Sequence, residues 1–352
     1  KPFADGGAFY RSKKTRESHA GWYVLIGICA AVPCLMVLVL LLMSADMVFA
    51  DLLVRFAGVF RFPVKLLRIL LMLVFGFLSS YCGVRYVQKH AADIKPSAGK
   101  TAEPLIAIAF TAPIAVLYLL FSAIQIVYLF IGNMQLPAGV TYAEYARRGF
   151  FQLLFVCVLN LAAVLSIQSY FKENRVLKAL LLAISGCTLI MTASSACRML
   201  LYIRAYQLTF LRVSVLVALA VIALLMAGVI AKIVKPQFPL FRYGFVLAGA
   251  VYLVFAFSHV DYFIAAYNLT HTSWEASGEE TVDYSYLYTL STDAAPAIEK
   301  YAGKSGAADY RKQGWYQLYC EANEEALNET GLRTYNVSHA VAKQLLMEDN
   351  RE

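Results

Sequence analysis

The chain has 352 residues, 60% of them hydrophobic and only 15% charged, with a formal net charge of +8. Soluble domains carry roughly 45–50% apolar and about 25% charged residues, so this composition excludes an ordinary soluble enzyme. It points to a chain whose polar residues are read against lipid, with membrane lipids as partners and no nucleic acid.

Residues 1–21 form a basic segment holding Lys1, Arg11, Lys13, Lys14 and Arg16. The chain begins with Lys1 rather than Met, and no small-residue cleavage site follows the first apolar run. A removable signal peptide is therefore not expected, and material upstream is. A spanning helix needs roughly 20 mostly apolar residues. Runs that meet or approach this length are Trp22–Met43, Ile69–Val84 (extended backwards by snorkelling Lys65 and Arg68), Pro104–Met134, Gly149–Phe171, Ala179–Cys197, Val213–Ala231 and Tyr243–Val260. Sheet edges cannot be left open in lipid, and the runs do not alternate as barrel strands do, so they are read as helices. The expected fold is all-α: a polytopic bundle of about seven spans over 22–267, with a small acidic helical extramembrane domain over 268–352.

Between the first two runs, 46–60 is amphipathic. Val48, Phe49, Leu52, Phe56, Val59 and Phe60 share one face, opposite Asp51 and Arg55. Too short and too charged to span, it is expected to lie along the membrane surface. Lys and Arg concentrate before the first span and in every second loop, which puts the N-terminus in the cytoplasm and 268–352 outside a plasma membrane. That C-terminal stretch holds fourteen Asp/Glu against seven Lys/Arg. Its expected helices are Tyr284–Leu290, one opening near Asp293, one over Ala307–Leu327, and one capped by Ser338 or Asn336. Asn268, Asn328 and Asn336 each fit the glycosylation pattern.

Candidate chemistry lies in three places. In Thr141-Tyr-Ala-Glu-Tyr-Ala-Arg-Arg-Gly149, Thr141 and Glu144 have capping-box spacing, and Glu144 can pair with Arg148 one turn on. Arg198 directly follows the fifth run and stands about one and a half turns deeper in the membrane than Arg204, costly unless it pairs, snorkels or meets water, with Tyr202 one turn on. Deduced topology puts Glu144, Arg147, Arg148, Arg198 and Arg204 on one outer side, a candidate charge-pair or anion site. On the fourth run Gln152, Asn160 and Gln168 recur every eight residues as a polar stripe that Gln125 is expected to face. His259 and Asp261 close the seventh run. No nucleotide loop, catalytic motif or metal spacing is present, and the seven cysteines read as buried hydrophobes, so no enzyme, cofactor or metal is expected.

Several strings together resemble a bacterial family of multi-pass membrane proteins, domain-of-unknown-function family 4173. They are Leu42-Met-Ser-Ala-Asp-Met-Val-Phe-Ala-Asp51, Thr141–Gly149 running on into Phe-Phe-Gln-Leu-Leu, Met199–Val213, His259–Asn268, Asp283–Pro296 and Arg333–Ser338. The resemblance implies further spans upstream and supplies no activity. At Gln207 it implies a small, glycine-like residue. The expected function is an anion or lipid site at the outer arginines, with 268–352 as a lid or docking surface. The rival is an envelope-assembly or signalling component whose C-terminal domain binds a protein.

Overall fold

The computed structural model describes residues 18–57, 102–127, 150–271, 273–274, 280–281, 284–301, 313–328 and 336–348. Among these the chain is almost wholly helical, and six helices are long and apolar enough to cross a membrane. They are α1 Ser18–Ala45, α3 Pro104–Gln125, α4 Phe150–Tyr170, α5 Arg175–Tyr206, α6 Phe210–Val234 and α7 Leu240–Phe257. Between the first two of these lies α2 Met47–Ala57. The expected second span, Ile69–Val84, lies outside the described residues, as do the end of the third run and the Thr141–Gly149 string.

Local chemistry sets the helix ends. Pro104 occupies the first turn of α3, where its missing N–H leaves no bond unmade. The Asn174 side chain accepts from the Val176 amide at 2.8 Å and opens α5. Asp46 separates α1 from α2, and its Oδ1 accepts from the Phe49 amide at 2.9 Å. The amphipathic helix expected over 46–60 is thus found as α2, with Asp51 and Arg55 paired at 3.3 Å on its exposed face. Phe49 is fully buried and meets the Phe121 ring edge-on at 5.1 Å.

The chain divides into two compact units. The first contains α1 to α3, nearly all of α4 and the opening part of α5. Here α1 and α3 run parallel. A Cβ on Gly27 would fall 2.6 Å from the Ala109 Cβ, so only glycine permits this approach near their starts. Near their ends, Gln125 Nε2 donates to Asp46 Oδ2 at 2.8 Å. At the opposite end of this unit, Ala102 bridges Phe171 and Lys172 Nζ lies 3.3 Å from Glu103, which joins the start of α3 to the end of α4.

The second unit contains the rest of α5, most of α6, α7 and the C-terminal helices. No residue of α7 is buried. The Tyr243 ring fills the space that a side chain at Gly228 would need, and its hydroxyl donates to the Leu224 carbonyl at 2.8 Å. Beyond α7 follow α8 Val260–Thr270, the two-residue strands β1 Ser273–Trp274 and β2 Glu280–Thr281, α9 Tyr284–Leu287, a 3-10 turn at Thr292–Ala294, α10 Ala295–Tyr301, α11 Gly314–Asn328 and α12 Val337–Lys343. One hydrophobic cluster joins Ile264 and Leu269 of α8 to Leu287, Ile298, Tyr319 and Leu346, with Leu208 and Val213 packed against it. This C-terminal core therefore starts before residue 268 and includes the turn between α5 and α6. Of the two caps offered for α12, Asn336 is used, accepting from the Ser338 amide at 2.9 Å.

Candidate functional site in the membrane helices

Two buried polar groupings stand out. The first is a chain of side chains inside the first unit. Tyr118 of α3 donates its hydroxyl to Asn160 Oδ1 at 2.6 Å, and Asn160 Nδ2 donates to Thr188 Oγ1 of α5 at 2.9 Å. Thr188 passes its own proton to the Ile184 carbonyl at 2.7 Å. All three side chains are at least 98% buried. A buried amide in lipid has no water to fall back on, so each of its ends must find a protein partner. The expected stripe on α4 is therefore interhelical at Asn160, but its partner from α3 is Tyr118. Gln125 bonds Asp46 instead. Along α3 the buried polar residues Thr111, Tyr118, Ser122 and Gln125 follow one helix face at spacings of seven, four and three.

The second grouping lies along α5. Thr188, Thr192, Ser195 and Arg198 repeat every three or four residues, and each is buried. Arg198 is 1% exposed, the largest side chain among those fully buried. It stands eight residues before the helix end at Tyr206, roughly 12 Å at 1.5 Å per residue. Arg204 is exposed, and six residues of helix turn it well away from the face of Arg198. Glu144, Arg147 and Arg148 lie outside the described residues. Of the five expected site residues, the structure therefore places two, on different faces of one helix. Among the described residues no three His, Cys, Asp or Glu side chains gather as a metal site.

At the turn after α5, Gln207 has φ 64°, a left-handed conformation in which glycine is at ease. This is the position where the resemblance implied a glycine-like residue. The side chain offsets the strain through hydrogen bonds. Gln207 Nε2 donates to the His271 carbonyl at 3.0 Å. Arg212 donates to the Tyr206 carbonyl at 2.6 Å and to the Gln207 carbonyl, with its guanidinium over the Tyr202 ring. Asn268 completes the clamp, accepting from the Leu208 amide at 2.8 Å and donating to the Leu208 carbonyl at 2.9 Å. Asn268 is 1% exposed with its amide engaged, so this glycosylation match is a structural residue and no acceptor.

His259 also has positive φ, 45°, and its ring nitrogen lies 3.5 Å from Asp293. Asp261 accepts from the amide and hydroxyl of Ser291 at 3.1 and 2.6 Å. Tyr319 donates to the Ser291 carbonyl at 2.9 Å, and burial pushes its phenol well above the ordinary range. The pair that closes the seventh run thus holds the C-terminal helices in place.

The sequence model of one family, described as Domain of unknown function (DUF4153), matches residues 1–301. The chain belongs to the DUF4153 family. The resemblance to a family of unknown function holds at that level, and the matching number is 4153 rather than 4173. No curated protein and no solved structure matches the chain. The DUF4153 match covers all six described spans and both polar groupings and ends at Tyr301, so α11 and α12 fall beyond it. Its description assigns no activity. With the spans in place, this DUF4153 chain is an integral membrane protein.

Proposed function

We propose that the protein binds or moves an anionic ligand or lipid headgroup at a site built on Arg198, with its N-terminus in the cytoplasm and its C-terminal domain outside. The burial of Arg198 within a membrane helix carries this reading. A guanidinium carries five N–H donors, so one buried there can hold an anion beside the partners it has in the protein. Exposed Arg204 stands nearer the membrane edge as a collecting charge, and Glu144, Arg147 and Arg148 are the residues expected to complete the site. The loop charges support the orientation.

The test is thermal unfolding in nanodiscs of phosphatidylcholine with and without phosphatidylglycerol, and in detergent with inorganic phosphate. Phosphatidylglycerol or phosphate should raise the wild-type Tm by several degrees, Arg198→Gln should lose most of that rise, and Arg198→Lys should keep part of it. An equal rise in wild type and Arg198→Gln would sink the site. A reporter fused after Glu352 should be active only outside the cytoplasm.

Exposed Leu318, Val337 and Val341 on α11 and α12 favour a second reading, an assembly or signalling component that docks a protein there. Deleting 313–352 would then abolish partner capture while leaving the anion response intact.

A further inference from the structure

One exposed phenylalanine on a protein surface needs no explanation by itself. Phe263 of α8 is 60% exposed, and its place in the fold sets it apart. The chain leaves α7 through Ser258 and His259, and the left-handed φ of His259, 45°, ends one helix and redirects the chain into the next. One face of α8 buries Ile264, Ala265, Asn268 and Leu269 in the C-terminal core. Away from that face, Phe263, Tyr267 and Thr270 form a stripe at spacings of four and three. Phe263 and Thr270 are exposed and Tyr267 is half-buried. The charged groups at the start of α8 are engaged by the C-terminal helices: Asp261 accepts from Ser291, and the His259 ring lies 3.5 Å from Asp293. The outward stripe is therefore apolar at its start and polar only at its end, the reverse of what water asks of a surface helix.

The start of α8 lies where the spans of the second unit end. The Phe210 ring at the start of α6 meets the Phe255 ring near the end of α7 at 5.8 Å, and the Phe210 amide donates to the Tyr286 hydroxyl of α9 at 2.9 Å. Leu208 and Val213 of the same turn pack against the C-terminal core. Around this end of the spans Tyr206, Phe210, Leu211 and Phe257 are exposed, Phe257 by 76%. Such residues at the ends of membrane helices face acyl chains and headgroups. Phe263 follows Phe257 by six residues, so the exposed apolar surface of α7 is taken up again directly after the break.

We propose that the first two turns of α8 lie in the membrane interface, with Phe263 among the acyl chains, Tyr267 at the headgroups and Thr270 in water. The partner is the lipid bilayer, recognised by apolar insertion rather than by headgroup charge. Lipid is the occupant because the surface continues that of the spans, and because no charged side chain stands on the stripe. The C-terminal core is then held on the membrane along α8 as well as through the turn between α5 and α6. This anchor is independent of Arg198, and its test uses neither lipid charge nor phosphate.

The experiment uses the full chain, with its three native tryptophans kept, in nanodiscs of phosphatidylcholine brominated high on the acyl chains. Phe263→Trp and Thr270→Trp are compared after the wild-type emission is subtracted. The emission added at 263 should be quenched more strongly than that added at 270, by about twofold. Equal or weaker quenching at 263 overturns the proposal. If either tryptophan variant fails to fold, Phe263→Asp and Phe263→Ser decide. Both lose the edge-on contact that Phe263 makes with the Tyr262 ring at 5.6 Å, but only the carboxylate is driven out of lipid. In unbrominated phosphatidylcholine nanodiscs Phe263→Asp should therefore melt several degrees below Phe263→Ser. An aspartate variant that melts with the serine variant or above it means that 263 faces water, and overturns the anchor.

Discussion

In the first unit the helices are joined side chain to side chain: Gln125 to Asp46, Tyr118 to Asn160, Asn160 to Thr188. In the second, side-chain pairs such as Ser291 with Asp261 are accompanied by many bonds from side chain to backbone: Asn268 to both polar groups of Leu208, Gln207 to the His271 carbonyl, the Tyr286 hydroxyl to the Phe210 amide at 2.9 Å, Asn323 to the Leu290 carbonyl at 3.1 Å. The difference follows from where backbone groups are left over. Inside a membrane helix the amides and carbonyls already bond one another, so cross-linking falls mainly to side chains, with an occasional second bond to a helix carbonyl such as that of Tyr243 to Leu224. Where α5 turns into α6 and α8 runs towards α9, turns leave amides and carbonyls orphaned, and Asn, Gln and Tyr side chains close on them. The first kind of joint selects which helices are neighbours. The second fixes the conformation of a turn.

The contrast predicts an order of effects. Asn268→Ala should be the most damaging, because it strands the Leu208 amide and carbonyl together, for a loss of about 2–5 kcal/mol. Thermal unfolding and proteolysis of the C-terminal helices measure it, and a wild-type melt would mean that the clamp carries no stability. Asn160→Leu should be milder, near 1–2 kcal/mol. A double-mutant cycle with Tyr118→Phe should give a coupling of about 0.6 and no more than about 1.7 kcal/mol, the span measured for hydrogen bonds between membrane helices. If that coupling exceeds the Asn268 loss, the comparison fails. At Gln207 two substitutions separate strain from bonding. Gln207→Ala keeps the left-handed backbone and loses the amide bonds, for roughly 1 kcal/mol of destabilisation. Gln207→Gly loses the bonds but relieves about as much strain, so its melt should stay within about 0.5 kcal/mol of wild type. Last, Arg55→Ala should change stability by less than about 0.5 kcal/mol, since Asp51 and Arg55 are both exposed.

The spans were readable because lipid demands long apolar runs, and that demand is written residue by residue. Helix partners were not, because they depend on how each helix is rotated. Asn160 is recognisable as an interhelical residue, yet nothing local says that Tyr118 rather than Gln125 faces it. Asp46 was missed as a joint because its neighbours place it at the end of an apolar run. Its one visible signal is its position directly before an amphipathic helix, where a carboxylate caps. Asn268 carried a misleading signal, since the spacing that suits a glycan also occurs in a buried clamp. The implied glycine at 207 was informative in spite of the mismatch. It reported the left-handed backbone that glutamine here adopts with help from its own side chain.

The shortest of the described spans, α7, has 18 residues against 32 in α5. At 1.5 Å per residue these helices measure about 27 and about 48 Å, on either side of a hydrocarbon core near 30 Å. One bilayer thickness cannot suit both while they stand upright. The long helix can tilt or project into water, but α7 has no spare turn and no buried face to hide a polar end. A thicker membrane would therefore have to thin around α7, and hydrophobic mismatch at this one helix sets which bilayers suit the protein best.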